Sequence, residues 1–387
     1  MDEKRRQFIA GMAAIAGAAV LDGFGIFRAS AEAQSAAKAV TNKPSRNIED
    51  YPHIIDAIPS KDMKTYFPLI VDACADPEAN HLSKVPFLIE LEVAKIWSES
   101  RFEWDAISSA GAAGLQQLME PTAREFGLTI IKSPEITKLN SSISEYRKLR
   151  SGVVAKRQEL YRLAESGTGN ITKTNLDKLN TVRAELVKLG AKRAVAYQNL
   201  KAAKKAYVGK IRGMSVEQRK KTDARFVPEL LIPIGVKHIV RDIMECKKFF
   251  GGPVEMNVWR GIAAYNAGLE SAKTWGGLPF IEETVHFTRN VISDLTRSLE
   301  MKYAYSTKDP EIIAKTKARI RIKASYSVYT VKQGDNFYEI VREQLMDRYK
   351  ISYSKALQYI KDSNGNKINP KNMSIILPKQ KFRIYVP

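Results

Sequence analysis

The segment 133–212 sets the strongest constraint on how this chain can fold, because its only proline is Pro134, at its start. Its apolar residues recur at intervals of three, four and seven, the spacing of helices that bury one apolar stripe. The polar stretch 166–170 interrupts the pattern near its middle. We therefore predict a long antiparallel α-helical hairpin, similar to a coiled coil, with one buried seam and a basic outer face.

Most of the positive charge lies in and around this predicted hairpin. The chain carries a net charge of +20, and residues 129–222 contain 22 lysines and arginines against 7 acidic residues. Such an excess attracts polyanions. We expect the hairpin to be either a solvated extension of the fold or a docking arm for an anionic polymer or a protein partner. It lacks the interleaved aromatic residues typical of nucleic-acid binding, so no nucleic acid is expected.

The length and the cysteines limit the architecture further. A chain of 387 residues is long enough for two or three globular units. Its two cysteines, Cys74 and Cys246, exclude a disulfide framework and a four-cysteine metal site. Whether they pair with each other is left open by their spacing. We expect no metal ion and no cofactor.

The first 33 residues have the pattern of an export signal. Arg5 and Arg6 precede the apolar stretch 10–20, and Ala31-Glu32-Ala33 matches a cleavage site. The arginine pair resembles a twin-arginine signal, which a receptor reads. The protein is therefore expected to be periplasmic or secreted. No later stretch has the ~18 uninterrupted apolar residues of a membrane span, so no transmembrane anchor is expected after signal removal.

The rest of the chain is predicted to be mainly α. Helical patterns precede and follow the hairpin, and a small α+β unit ends the chain with alternating apolar and polar residues. The predicted regions are an irregular lead-in at 34–65, helical segments at 66–128 and 223–300, a polar linker at 301–325, and the α+β unit at 326–387.

Three short motifs lie on either side of the hairpin. The stretch 97–102 reads W-S-E-S-R-F and places a carboxylate at the end of an apolar helix. The stretch 108–117 reads S-S-A-G-A-A-G-L-Q-Q, whose glycines allow close backbone approach. The stretch 263–268 reads A-A-Y-N-A-G.

In this order, the motifs resemble those of the soluble lytic transglycosylase domain, which is related to goose-type lysozymes. The resemblance covers 86–127 and 226–300. It implies a lysozyme-like helical catalytic domain at 66–128 and 223–300, interrupted by the hairpin. It also implies an enzyme that cleaves the MurNAc–GlcNAc β-1,4 bond of peptidoglycan glycan strands and leaves 1,6-anhydro ends. A lysozyme-type muramidase and a non-catalytic peptidoglycan-binding or scaffold protein are the alternatives.

The resemblance assigns roles to five residues. Glu99 corresponds to the single catalytic acid/base, and Ser108 to a serine at the groove edge. Gln117, Tyr265 and Asn266 correspond to substrate-binding residues. An acid that protonates a glycosidic oxygen near neutral pH needs a raised pKa, which apolar neighbours provide by desolvation. One carboxylate is enough if it then deprotonates the sugar O6, so that no water is consumed.

Two residues depart from the family pattern. Gln116 stands where the family has Met, which is expected to alter groove packing. Phe287 stands where the family has Tyr, so the hydroxyl expected near the acid is missing.

The C-terminal stretches 329–340 and 377–387 resemble the start and end of a LysM module. This resemblance implies a βααβ fold that binds N-acetylglucosamine chains. Lys379 replaces the glycine expected near its last strand.

Overall fold

The computed structural model describes residues 44–76, 81–85, 87–165, 173–279, 281–331, 337–346, 353–362, 368 and 380–385. The export-signal pattern at 1–33, the hairpin interruption at 166–170 and Lys379 lie outside them. The chain forms two compact units, Met1–Thr296 and Arg297–Pro387.

The first unit is helical. Its α-helices are α1 (Pro52–Ala57), α2 (Met63–Cys74), α3 (His81–Lys84), α4 (Leu88–Ser100), α5 (Glu120–Glu125), α6 (Pro134–Glu165), α7 (Lys173–Arg212), α8 (Val216–Thr222), α9 (Pro228–Phe250), α10 (Val254–Ala267), α11 (Leu269–Thr274) and the first part of α12 (Glu282–Ser306), with short 3-10 helices at Ile48–Asp50 and Ala224–Phe226.

The core of this unit forms around α9, which packs against α2 and α10 while α2 packs against α4. Helix α4 is buried along most of its length, from Leu88 to Ile96. Cys74 and Cys246 are both buried, and each is a free thiol rather than half of a disulfide.

Helices α6 and α7 pair as the apolar pattern predicts. Lys210 contacts Glu135 at 2.7 Å, and Lys156 contacts Glu185 at 2.6 Å. Because residue numbers rise along one helix as they fall along the other, the pair is antiparallel. The seam is apolar and includes Ile136, Leu139, Ile143, Val153, Val182, Ala196, Leu200 and Ala203.

The chain enters and leaves this hairpin at adjacent points. Ile130 and Asp223 form an isolated antiparallel bridge. The Ile131 N–H donates to the Thr222 carbonyl at 2.8 Å, and the Ala224 N–H donates to the Thr129 carbonyl at 2.9 Å. The hairpin therefore begins and ends at a closed seam of backbone hydrogen bonds.

The second unit contains the end of α12, α13 (Pro310–Ser325), α14 (Phe337–Val341), a π-helical turn (Arg342–Met346), α15 (Tyr353–Ala356) and a 3-10 turn (Leu357–Tyr359). Its strands are β1 (Tyr326–Thr330), β2 (Ile360–Asp362) and β3 (Lys381–Tyr385). β3 lies between the other two and pairs antiparallel with both. Val331, Phe337, Leu345 and Phe382 belong to its core.

The predicted linker at 301–325 and the predicted irregular lead-in at 34–65 both contain helices. The segment 301–325 was expected as a linker, but α13 occupies most of it because Pro310 opens the helix and the Asp309 carboxylate accepts the Glu311 N–H at 2.8 Å. The lead-in 34–65 contains α1, which Pro52 opens in the same way. Among the described residues, no helix combines the length and the apolar character needed to cross a membrane.

Candidate active site

Glu99 lies in the last turn of α4, directly before a sharp reversal of the chain. The next residues, Arg101 and Phe102, both have left-handed backbone conformations, with φ of 58° and 65°. The Phe102 side chain is buried, and the Arg101 guanidinium stacks 4.3 Å from the centre of the Trp97 ring. Two left-handed non-glycine residues are costly, and they cluster at functional sites. The reversal ends the helix and leaves Glu99 half-buried.

The surroundings of Glu99 favour its protonated form. Burial raises its pKa to about 8, the Lys95 ammonium opposes that rise, and the Glu283 and Glu92 carboxylates add to it. The Glu99 carboxylate accepts no hydrogen bond from a residue that the structure describes. At neutral pH, the side chain is therefore mainly a carboxylic acid, the form that a general acid requires.

A fully buried ion pair lies on the same face of α4, one and two turns before Glu99. Lys95 Nζ forms an ion pair with Glu92 Oε2 at 2.8 Å and donates a hydrogen bond to the Gly235 carbonyl at 2.9 Å. The Gln116 amide donates to the other oxygen of Glu92. Both charges are thus hydrogen-bonded, as burial requires.

Tyr265 joins this network to the second half of the domain. Its hydroxyl donates to the Gln116 carbonyl at 2.9 Å, and its ring lies 4.4 Å from Lys95 Nζ. Burial raises the pKa of Tyr265 well above its usual value, and the nearby Glu99 adds to the effect. Tyr265 therefore remains a neutral hydrogen-bond donor beside Glu99.

Gln116, which stands where the family has Met, packs inside the domain. Its side chain is fully buried and lies against Gly235, where a Cβ would approach the Gln116 amide carbon to 2.1 Å. The missing side chain at Gly235 provides the space that the Gln116 amide occupies. The polar amide is accommodated because Glu92 accepts its hydrogen.

The glycine-rich motif forms a tight loop over residues 106–118. Bridges join Ala113 to Ile107 and to Leu118. The Ser108 hydroxyl accepts the N–H groups of Ala110 and Ala112 at 3.1 and 3.0 Å.

Gln117, which has a left-handed φ of 46°, also binds the loop itself. Its amide nitrogen donates to the carbonyls of Ala106 and Gly114 at 3.0 and 2.8 Å. Ser108 and Gln117 thus shape the loop, and their predicted contacts with substrate stay predictions.

A buried ion pair from beyond the hairpin holds this loop in place. Arg225 pairs with Asp223 at 2.7 Å and donates to the carbonyls of Gly111 and Leu118 at 3.1 and 3.4 Å. A Cβ at Gly114 would lie 2.0 Å from the Arg225 carbonyl oxygen, and Gly114 has φ +76°. Only glycine fits there.

Asn266 lies at the end of α10, next to Tyr265. Its side-chain oxygen accepts the Thr284 hydroxyl hydrogen at 2.7 Å, which fixes its orientation. Phe287 is buried on α12, where a tyrosine was expected, and supplies no hydroxyl.

Sequence reasoning missed Glu92, Lys95 and the Asp223–Arg225 pair. A signal for the first two was present: positions 92, 95 and 99 share one face of an otherwise apolar helix. Nothing local marked Arg225. Among the described residues, no group of three or more His, Cys, Asp or Glu side chains is arranged to hold a metal ion.

The sequence model of the transglycosylase SLT domain matches residues 89–144. This stretch includes Glu99, the loop and the first part of α6, whereas Tyr265 and Asn266 lie outside it. No curated protein and no solved structure gives a significant match. The family match indicates a function of the lytic transglycosylase type, directed at peptidoglycan.

Proposed function

We propose that this protein is a peptidoglycan lytic transglycosylase in which Glu99 is the only catalytic acid/base. The observation that carries the proposal is the position of Glu99. It lies within the matched stretch, half-buried, with a pKa raised to about 8, beside the buried Tyr265 hydroxyl.

The reaction has two proton transfers. The Glu99 carboxylic acid donates its proton to the oxygen of the MurNAc–GlcNAc β-1,4 bond, and that bond breaks. The resulting carboxylate then removes the proton of the MurNAc O6 hydroxyl, whose oxygen bonds to C1. A 1,6-anhydro ring forms, Glu99 regains its proton, and no water is consumed.

The distribution of carboxylates supports a single acid/base. Glu92 is held by Lys95 and Gln116, and Asp105 is buried in a pair with Arg212. Glu283 is exposed, makes no ion pair with a described residue and influences the pKa of Glu99. It is therefore the candidate second carboxylate in a muramidase of the lysozyme type.

Digestion of purified sacculi tests the proposal by mass spectrometry of the products. The wild type is expected to release 1,6-anhydro-muropeptides. Glu99→Gln is expected to lower the rate by at least about 10³-fold, because it removes the transferable proton. Glu283→Gln is the matched control and should keep the anhydro product.

Reducing ends that depend on Glu283 would instead establish a muramidase. If neither product forms, the protein is a non-catalytic wall binder.

We also propose that the enzyme works in the periplasm or outside the cell, and that its second unit binds glycan strands rich in N-acetylglucosamine. The arginine pair and apolar stretch at 1–33 support export, and the LysM-like stretches support glycan binding. Cell fractionation tests the first proposal, and co-sedimentation of the full chain with sacculi, before and after competition by chitin oligosaccharides, tests the second.

A further inference from the structure

A groove with a volume of about 360 Å³ lies between the glycine-rich loop and the first hairpin helix. Ala110, Gly111 and Pro121 line one side, and Asn140, Ser144 and Arg147 of α6 line the other. The volume is within the range of roughly 300–1,000 Å³ typical of small-ligand sites. The first hairpin helix therefore forms one wall of this groove, and the other wall is the glycine-rich loop, whose Gln116 carbonyl accepts a hydrogen bond from Tyr265.

That wall is fixed to the loop rather than free to swing. Lys204 of α7 donates to the Ile107 carbonyl at 2.8 Å, and Arg212 pairs with the buried Asp105. Tyr207 is fully buried and donates to Asp223 at 3.0 Å. The base of the hairpin is thus part of the site's framework, and its groove-facing side chains are held close to the loop.

One charged side chain of the groove, Arg147, has no ion-pair partner among the described residues. Asn140, Ser144 and Arg147 are spaced by four and three residues, so they share one face of α6, and all three are exposed. The other charged groups of the groove are already paired, since Glu120 binds Arg124 at 2.9 Å and Arg225 binds Asp223.

This chemistry selects an acidic, amide-rich ligand. A guanidinium favours a carboxylate, which it can bind through two parallel hydrogen bonds. An asparagine amide and a serine hydroxyl are suited to peptide groups. We propose that the groove binds the acidic stem peptide carried by the glycan strand. This inference rests on the proposed function, because the stem peptide is attached to the MurNAc that the site would cleave.

Glycan strands with and without stem peptides distinguish peptide binding by the groove from catalysis at Glu99. Arg147→Ala is expected to lower kcat/KM about tenfold or more on peptide-bearing strands, the effect of losing one charged hydrogen bond. On strands stripped of peptide by an amidase, the same variant should match the wild type. Arg150→Ala, an exposed arginine of α6 outside the groove, is the matched control and should change neither rate.

Equal losses of Arg147→Ala on both substrates, or no loss on either, would overturn the proposal. Thermal melts of both variants should coincide with the wild type.

A binding measurement keeps the proposal testable if the protein cleaves nothing. Isothermal titration of the full chain with a synthetic stem tetrapeptide should show binding that Arg147→Ala removes and Arg150→Ala preserves. The same peptide with amidated carboxylates should bind at least about tenfold more weakly. Tetrapeptide binding without cleavage would reject the proposed transglycosylase activity and support the peptide-binding groove. Cleavage without tetrapeptide binding would support the activity and reject the peptide-binding groove.

Discussion

The helix that carries Glu99 and the hairpin both contain lysine–glutamate pairs of the same length, in opposite environments. In α4, Lys95 and Glu92 are 2.8 Å apart and both side chains are 0% exposed. In the hairpin, Lys156 lies 2.8 Å from Glu159 and 2.6 Å from Glu185, and these side chains are 31–46% exposed. Because the distances are similar, the contribution of each pair to stability depends on whether water surrounds it.

The difference shows which interactions stabilise each region. Ions removed from water need close polar partners, so the pair in α4 constrains the positions of Gln116 and Tyr265 around it. The hairpin pairs stay in water and are screened by it. The hairpin instead obtains its stability from the apolar seam between its helices.

The largest expected effect follows from removing one partner of the buried pair. Lys95→Met leaves Glu92 buried without its cation, so the free energy of unfolding should fall by about 3–5 kcal/mol. Urea denaturation at pH 7 measures this loss.

The triple variant Glu92→Leu, Lys95→Met, Gln116→Met is the control, because it removes every charge of the cluster together. It should recover most of the loss, to within roughly 1.5 kcal/mol of the wild type. A Lys95→Met variant as stable as the wild type would show that the pair is not shielded from water.

The next effect concerns Glu99 and depends on pH. A pKa raised from 4.5 to about 8 means that the folded protein keeps a proton that the unfolded chain loses. Ionisation of the unfolded chain therefore lowers stability as the pH rises from 4.5 to about 8, and the cost stays constant above that. Glu99→Gln removes this cost, so it should raise the free energy of unfolding by roughly 1–3 kcal/mol at pH 7.

At pH 4, where the carboxyl is protonated in both states, wild type and Glu99→Gln should unfold at nearly the same denaturant concentration. A stability gap of equal size at both pH values would contradict a raised pKa for Glu99.

The smallest effect is expected in the hairpin. Lys156→Met, the same substitution as at residue 95, should shift the midpoint of urea denaturation far less than Lys95→Met does, because water screens this pair. Urea denaturation in low and in 1 M salt measures it, and salt should reduce the difference further. A loss comparable to that of Lys95→Met would remove the contrast between the two regions.

The sequence was most informative where structure depends on local pattern. The seam of α6 and α7 follows from helical spacing, and the loop from Gly111 and Gly114. The start of helix α13 also has a local signal, Asp309 followed by Pro310. The polar composition of the segment nevertheless favoured the prediction of a linker.

Features that depend on tertiary contact could not be read in this way. The burial of Glu92 and Lys95 is set by α9 and α10, and spacing along α4 gives only the shared face. The hydrogen bonds from Arg225 to the loop connect residues that the whole hairpin separates in the sequence, so no local pattern indicates these bonds. The motif identified Gln117 as a candidate site residue, whereas its hydrogen bonds to the loop carbonyls are visible only in the folded structure.

The seam at Ile130 and Asp223 gives the domain a place where a long segment can leave and rejoin the chain at adjacent points. The two crossing points are one strand spacing apart, about 5 Å. A segment whose ends meet at that distance can join these two points without rerouting the polypeptide on either side. The position therefore suits the gain of a whole module during descent, and the contacts of Lys204 and Arg212 with the loop side of the domain show how such a module becomes part of the framework.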